Sequence, residues 1–438
     1  MFKYKNVLIY GYSASGKAVE RVLINMEVNY KIYDDKMGLG GGKYLFKLKK
    51  EEIKKFDLIV ISPAVSIFNK HIVFAESVGI RVISELEFGF LMCPYPIIAV
   101  TGTNGKTTVT KLIEHVLNCS GYSAKALGNV GEPLTKVVNY KKLDFVVTEV
   151  SSFQLEATYK FKPYIGVLLN IDADHIDRHK TFNNYVNLKA SLFKNCNSEC
   201  FAVLNNQKEI LDSLNSTLAK KVVLNKDCAV INGQVVFDGE PVFGTNDFED
   251  FTYLDNILAV VAVLKIIGLK NEEILMGINT FKGLEHRLEF VDKINNVSFY
   301  DDSKATNPHA TIGATKKLNK FNHITLLLGG KDKNLDFENL INNLPNNVTK
   351  IIAFGEARKK IAKHAKNKIE TSVEPNLKSA VFKAVKTTKS GDAILLSPAC
   401  ASFDEFENYA KRGEYFKNLV AELKVLNYTT LNSSGEVC

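Results

Sequence analysis

The stretch Ile97-Ile98-Ala99-Val100-Thr101-Gly102-Thr103-Asn104-Gly105-Lys106-Thr107-Thr108 constrains the chain more than any other. An apolar run of strand type ends there in a turn with two glycines. A Lys-Thr pair then opens a segment whose apolar residues recur at Val109, Leu112, Ile113, Val116 and Leu117, the period of a helix with one buried face. A strand, a glycine turn and a helix in that order belong to an α/β sheet. Gly102 and Gly105 let backbone N–H groups converge on phosphate oxygens, and the helix adds its positive end. Lys106 reaches the outer phosphates, and Thr107 offers a hydroxyl to Mg²⁺. Val100 stands where the usual eight-residue phosphate-loop pattern has its first glycine, so the loop is the shorter Gly-Thr-Asn-Gly-Lys-Thr. A tight turn with an incidental lysine is the plainer alternative. The strand before it and the amphipathic helix behind it favour a nucleotide site, with ATP as the expected ligand and Gly102, Thr103, Asn104, Gly105, Lys106, Thr107 and Thr108 as its contacts.

At 438 residues the chain has room for about three domains. No apolar run approaches the roughly 20 residues of a bilayer span, and no charged-then-apolar leader opens the sequence, so a cytoplasmic protein without a membrane partner is expected. The seven cysteines are odd in number and scattered, which predicts reduced thiols. Cys196 and Cys200 are close, but no second pair or nearby histidine accompanies them, so filler is expected rather than zinc. The net charge of +8 comes from dispersed lysine. Residues 358–368 are very basic but carry Ile361 and Ala362, the pattern of a solvated helix face, and no nucleic-acid partner is expected.

Three segments follow. Residues 1–93 open with a strand running into Gly11 and Gly16, then a second ending at Asp34-Asp35; this fits a nucleotide-like ligand and equally a plain doubly wound sheet. Pro94 and Pro96 punctuate the start of 94–283, where apolar runs alternate with helical patterns. Residues 284–438 place strands at 297–300, 324–328, 351–354 and 393–396. The fold class read from this is α/β with three domains: Rossmann-like, a central phosphate-loop sheet with helices, and a second Rossmann-like domain. Strand carboxyl ends face the ligand crevice of such sheets, so Glu149, ending one run, and His175, beyond Asn170, Asp172 and Asp174, are candidates for metal ligation or catalysis.

The chain resembles the Mur ligase family, ATP-dependent amide-forming enzymes of peptidoglycan synthesis. The resembling strings are Gly102 to Thr107, Glu149-Val150-Ser151-Ser152-Phe153-Gln154-Leu155-Glu156, Asp174-His175-Ile176-Asp177-Arg178-His179 and Leu284-Glu285-His286-Arg287. Asp301-Asp302-Ser303-Lys304-Ala305-Thr306-Asn307 and the stretch from Leu395 to Phe406 look like the branch that adds D-glutamate to UDP-N-acetylmuramoyl-L-alanine. The resemblance implies ATP with two Mg²⁺ ions and small-molecule substrates, and a monomer is expected. It implies catalytic Lys106, Glu149, His175 and Lys189, with metal at Thr107, Glu149, His175 and a carbamylated Lys189. Read from its own surroundings, Asn187-Leu188-Lys189-Ala190, Lys189 is an ordinary helix lysine expected in solvent.

The resemblance further assigns Asn256, Arg287, Asp302 and Lys304 to ATP. It assigns Ala14, Ser15, Asp34, Asp35, Lys36 and Asn129 to the UDP-sugar, and Thr306, Lys333, Ser402, Phe403 and Tyr409 to D-glutamate. Phe403 and Tyr409 fit core packing equally well, and His286-Arg287 fits a surface hinge pair. The chain departs from the family at Phe251-Thr252-Tyr253-Leu254-Asp255-Asn256, which lacks the His-Asn ahead of the adenine-binding asparagine and leaves Tyr253 as a candidate for stacking on the base. Two other readings stay open: a related ligase for another acceptor or amino acid, such as another Mur ligase or a folylpolyglutamate synthetase, and a non-catalytic ATP-dependent binding protein.

Overall fold

The computed structural model describes residues 3–36, 41–129, 131–174, 176–248, 254–332 and 335–433. The chain divides into two compact units, Met1–Phe281 and Lys282–Cys438. The first unit begins with a parallel four-stranded sheet of β1 (Asn6–Tyr10), β2 (Asn29–Tyr33), β3 (Leu58–Ile61) and β4 (Arg81–Ser84) in the order β2-β1-β3-β4. β3, Leu-Ile-Val-Ile, is buried at every position, as a strand covered on both faces requires. The order reverses between β1 and β3. Their carboxyl ends, at Gly11 and Ser62, therefore form the crevice where open sheets of this kind bind ligands.

A six-stranded parallel sheet follows, built from β5 (Ile97–Thr101), β6 (Ala124–Gly128), β7 (Phe145–Glu149), β8 (Ile165–Leu168), β9 (Phe201–Leu204) and β10 (Lys220–Val223). Its order is β10-β9-β8-β5-β7-β6, so β5, which feeds the glycine turn, lies between β7 and β8. The helix Lys106–Cys119 buries Val109, Leu112, Ile113, Val116 and Leu117, the face read from the sequence. It packs with helices Leu254–Ile267 and Asn271–Thr280, and at Gly277 a Cβ would strike Val116. Asp255 and Asn256 lie in the first turn of the first of these helices. Asp255 accepts from the side-chain amides of Asn205 and Asn225, each at 3.1 Å, which ties the helix start to the strand ends.

A small antiparallel sheet, β11 (Cys228–Ile231), β12 (Gln234–Phe237) and β13 (Glu240–Gly244), was not evident from the alternation of apolar runs. Its turns are Asn232-Gly233 and Asp238-Gly239, with φ of 50°, 76°, 51° and 81°. Positive φ at both central residues matches the twist of two-residue hairpins, and this dipeptide chemistry was the available signal.

The second unit carries β14 (Glu289–Ile294), β15 (Val297–Asp301), β16 (Ile324–Gly329), β17 (Val348–Phe354), β18 (Glu370–Val373) and β19 (Ala393–Ala399) in the order β14-β15-β19-β16-β17-β18. All pairs are parallel except β14 with β15. The edge strands β14 and β18 carry exposed or half-buried residues at most positions, too polar to stand out as apolar runs. In the basic helix Arg358–Ala365 only Ile361 and Ala365 are buried. Cys196 and Cys200 are both buried free thiols; burial pushes Cys196 up to about 12. Among the described residues no helix is long and apolar enough to cross a membrane.

Candidate active site

The glycine turn is clamped from the side. Asn170, just beyond β8, accepts from Asn104 N through Oδ1 at 2.7 Å and returns a bond from Nδ2 to Asn104 O at 3.1 Å. Its carbonyl accepts from Thr103 N at 2.8 Å. Thr103 Oγ1 donates to Asp172 O at 3.2 Å and accepts from Asp172 N at 3.0 Å. Gly102 and Gly105 take φ of 150° and 85°. A Cβ at Gly102 would sit 3.0 Å from Leu169 Cβ, and one at Gly105 would collide with the Asn256 carboxamide, so side chain is excluded from both faces of the cradle. Thr107, Thr108 and Asn256 are buried. Phe251, Thr252 and Tyr253 lie outside the described residues.

Two lysines meet on one acceptor. Lys106 Nζ donates to Gly102 O and Thr103 O, both at 2.9 Å, and Lys189 Nζ donates to Gly102 O at 2.8 Å. Lys189 is only 1% exposed, which corrects the solvent-facing expectation from its local sequence. The residue sits on the face of helix Phe182–Ala190 that packs inward with Tyr185 and Val186, and its ammonium lies over the Tyr185 ring at 4.7 Å. Burial, and then the Lys106 charge, hold Lys189 well below the usual lysine range, while Asp174 and Glu149 oppose the shift.

Glu149 ends β7 at 2% exposure. Asn129 donates to its Oε1 at 2.8 Å and, through its backbone N–H, to its carbonyl at 2.9 Å. Glu149 Oε2 is buried and has no hydrogen-bond partner among the described residues. A buried bare carboxylate oxygen is costly unless a cation completes it. A carboxylate at the end of β7 and a threonine hydroxyl at the phosphate loop are oxygen donors of the kind a hard cation such as Mg²⁺ takes. His175 lies outside the described residues. Asn129 is therefore placed beside Glu149 rather than with the N-terminal sheet.

The other UDP-sugar candidates cluster at the carboxyl end of that sheet. Ala14 and Ser15 open helix Ala14–Asn25 after β1. Asp34 accepts from Tyr12 N at 2.7 Å and Lys36 N at 2.9 Å, and Asp35 accepts from the hydroxyls of Tyr10 and Tyr33 at 3.0 and 2.9 Å. Lys36 is exposed.

In the second unit Asp302 is buried, accepting from Ser397 Oγ at 2.7 Å and Leu288 N at 3.2 Å. Burial pushes its carboxyl up to about 7, against the bond from Ser397 and the Arg287 charge. Lys304 lies over the Tyr409 ring at 5.3 Å. Lys331 N donates to Ala401 O at 2.8 Å, so the chain leading to Lys333 runs beside Ala401 and the buried Ser402; Lys333 itself lies outside the described residues. Thr306 is half-buried. Phe403 is 66% exposed, which rules out core packing for it. His286 is buried, with Nδ1 2.6 Å from Asp301 Oδ2, so His286-Arg287 is not a surface pair.

Sequence reasoning missed Arg412. It is 1% exposed and donates from Nε to Ser303 Oγ at 2.9 Å and from Nη2 to Ser303 O and Cys400 O at 2.8 and 3.0 Å. No local pattern marks it; Lys411-Arg412 reads as solvent charge until the helix Tyr409–Ser433 is docked.

The fold has solved counterparts among ligases. It is similar to the MurF ligase of Thermotoga maritima in complex with ADP, at TM-score 0.61 and 16% identity over 94% of this chain and 96% of that one. It is similar to UDP-N-acetylmuramate-alanine ligase MurC of the same organism, at TM-score 0.61 and 17% identity over 96% and 100%. Residues 100–229 match the Mur ligase middle domain and 286–400 the Mur ligase glutamate ligase domain. The chain belongs to the Mur ligase family. Two of its relatives, in Thermoanaerobacter sp. (strain X514) and Geotalea uraniireducens (strain Rf4), are named UDP-N-acetylmuramoylalanine--D-glutamate ligase. They are 37% and 34% identical over 96% of this chain, and cover 99% and 98% of their own lengths.

Proposed function

We propose that this protein joins D-glutamate to the alanyl carboxylate of UDP-N-acetylmuramoyl-L-alanine at the expense of ATP, in the cytoplasm and as a monomer. The observation that carries the reading is the trio at the phosphate loop: half-buried Lys106, buried Lys189 and a buried Glu149 oxygen with no partner among the described residues. A carboxylate does not accept an amine until its oxygen becomes a leaving group. Transfer of the γ-phosphoryl group to it gives an acyl phosphate and ADP; the D-glutamate amine then attacks the carbonyl and phosphate departs. Both reactants of the first step are anions, so the site needs positive charge. Lys106 supplies it directly. Thr107 and Glu149 would hold one Mg²⁺, and His175 with Lys189 as its carbamate a second; the ions neutralise phosphate charge when bound. Burial and the Lys106 charge hold the Lys189 amine well below the usual lysine range, which favours the neutral, nucleophilic form that adds CO₂, and a carbamate there would place a negative charge beside Lys106.

In this reading 1–93 binds the UDP-sugar through Ala14, Ser15, Asp34, Asp35 and Lys36, with Asn129 reaching it from 94–283. Residues 94–283 hold ATP through the loop and Asn256. Residues 284–438 bring Arg287, Asp302 and Lys304 to the nucleotide and Thr306, Lys333, Ser402, Phe403 and Tyr409 to D-glutamate. Phosphate release from ATP should require UDP-N-acetylmuramoyl-L-alanine and D-glutamate together. Equal stimulation by L-glutamate or L-lysine would overturn the amino-acid assignment, and ATP binding with no amide product by mass spectrometry would overturn catalysis. Lys189→Ala is expected to abolish turnover at ordinary Mg²⁺; intact activity would remove the carbamate.

A further inference from the structure

Arg178 uses its whole guanidinium. Nε and Nη2 form a fork onto Glu156, at 2.9 and 2.6 Å, while Nη1 donates to Pro63 O at 3.1 Å and Nη2 to Val65 O at 3.3 Å. Its Cζ lies 4.1 Å from the Phe153 ring centroid. Both ends of the fork are largely out of solvent, at 16% and 4% side-chain exposure. The carbonyls it grips belong to the loop after β3, at the point where the strand order of the N-terminal sheet reverses. Ser62 Oγ in that loop donates to Gly11 O at 2.8 Å, so the loop also holds the turn after β1. A Cβ on Gly11 would lie 2.8 Å from Ser62, which shows how closely the two crevice loops abut. At its other end Arg178 belongs to the short helix Ile176–His179, directly after His175. Glu156 follows Glu149 by seven residues, across the short helix Ser152–Leu155, and next to Arg178 His179 Nε2 lies 3.0 Å from Ser152 Oγ.

We propose that Arg178, with Glu156, is a positioning residue: it fixes the crevice loop 62–65 against the segments carrying Glu149 and His175, and so sets where the acceptor's nucleotide end sits relative to the phosphate loop. The inference rests on the activity proposed above. An arginine is required because four bonds in one plane link three backbone segments; a lysine point charge satisfies one partner at a time. The acceptor is the one substrate that must span both regions, so its Michaelis constant carries the effect.

Steady-state kinetics of the wild type, Arg178→Lys and Glu156→Gln should show the Michaelis constant for UDP-N-acetylmuramoyl-L-alanine rising about tenfold or more, with those for ATP and D-glutamate within about twofold. Backbone hydrogen exchange over residues 62–69 should accelerate in both variants, with the melting transition still cooperative. Constants that all move together, or none that moves, would overturn the inference, as would unchanged exchange over 62–69. A wild type without turnover would instead refute the activity, and the exchange result would then decide the strap by itself.

Discussion

The phosphate-loop cluster and the cluster around Asp301 and Asp302 hold similar groups to opposite ends. In the first, Glu149 has one oxygen bonded to Asn129 and one bare among the described residues, and two lysines compete for the Gly102 carbonyl. In the second, both oxygens of Asp302 accept from Ser397 and Leu288, Asp301 accepts from Ser303 N and faces His286, and Arg412 ties Ser303 to Cys400. One arrangement leaves charge for a ligand to complete. The other spends its charge on holding strand-end backbone in place. Burial by itself therefore does not separate a carboxylate left open on one oxygen from one already bonded on both.

Four substitutions test that contrast. Glu149→Gln keeps shape and the Asn129 contact but removes the charge, and turnover should fall about a thousandfold with folding unchanged; initial rates of ADP formation measure it, and a loss under tenfold would erase the distinction. Asp302→Asn should act on stability as well. The folded carboxyl titrates near 7 against an ordinary 3.8, so its contribution is intact below about pH 4 and is lost as pH rises towards 7. The variant should therefore be more stable than wild type in denaturant unfolding at pH 8, by at most about 4 kcal/mol, with the gain vanishing near pH 4. Arg412→Leu strands the Ser303 and Cys400 carbonyls and should cost the second unit about 3 kcal/mol in denaturant unfolding. Burial has pushed that guanidinium down to about 10, so it stays charged at neutral pH while bearing a desolvation cost. Ser303→Ala removes one bond to Tyr409 O and one from Arg412 Nε and should cost about 1 kcal/mol, read from the same unfolding curves.

Much of the site was legible from local chemistry. The turn 102–107 announced itself because glycines at required positive φ, a lysine and a helix start must be contiguous, and Glu149 because an apolar strand ending in an acid is visible as a string. Lys189 was misread from its neighbours, since helix Phe182–Ala190 alternates polar and apolar residues and only docking shows which face turns inward. Arg412 left no signal and Arg178 stood only within a motif string with no role, because the partners that define them lie 109 and 113–115 residues away in the chain. The hairpins at Asn232-Gly233 and Asp238-Gly239 were readable from turn chemistry, whereas β14 and β18 were hidden by polar edge sequences.

The sequence by itself determined the α/β class, the phosphate cradle and the family, because period, glycine placement and short motifs act through backbone conformation within a few residues. The tertiary structure decided which charges are buried, which oxygen of Glu149 has no partner among the described residues and which arginine grips the loop after β3. Those depend on segments distant in the chain meeting in a low-dielectric interior, where desolvation and the count of available partners set the energy of each group.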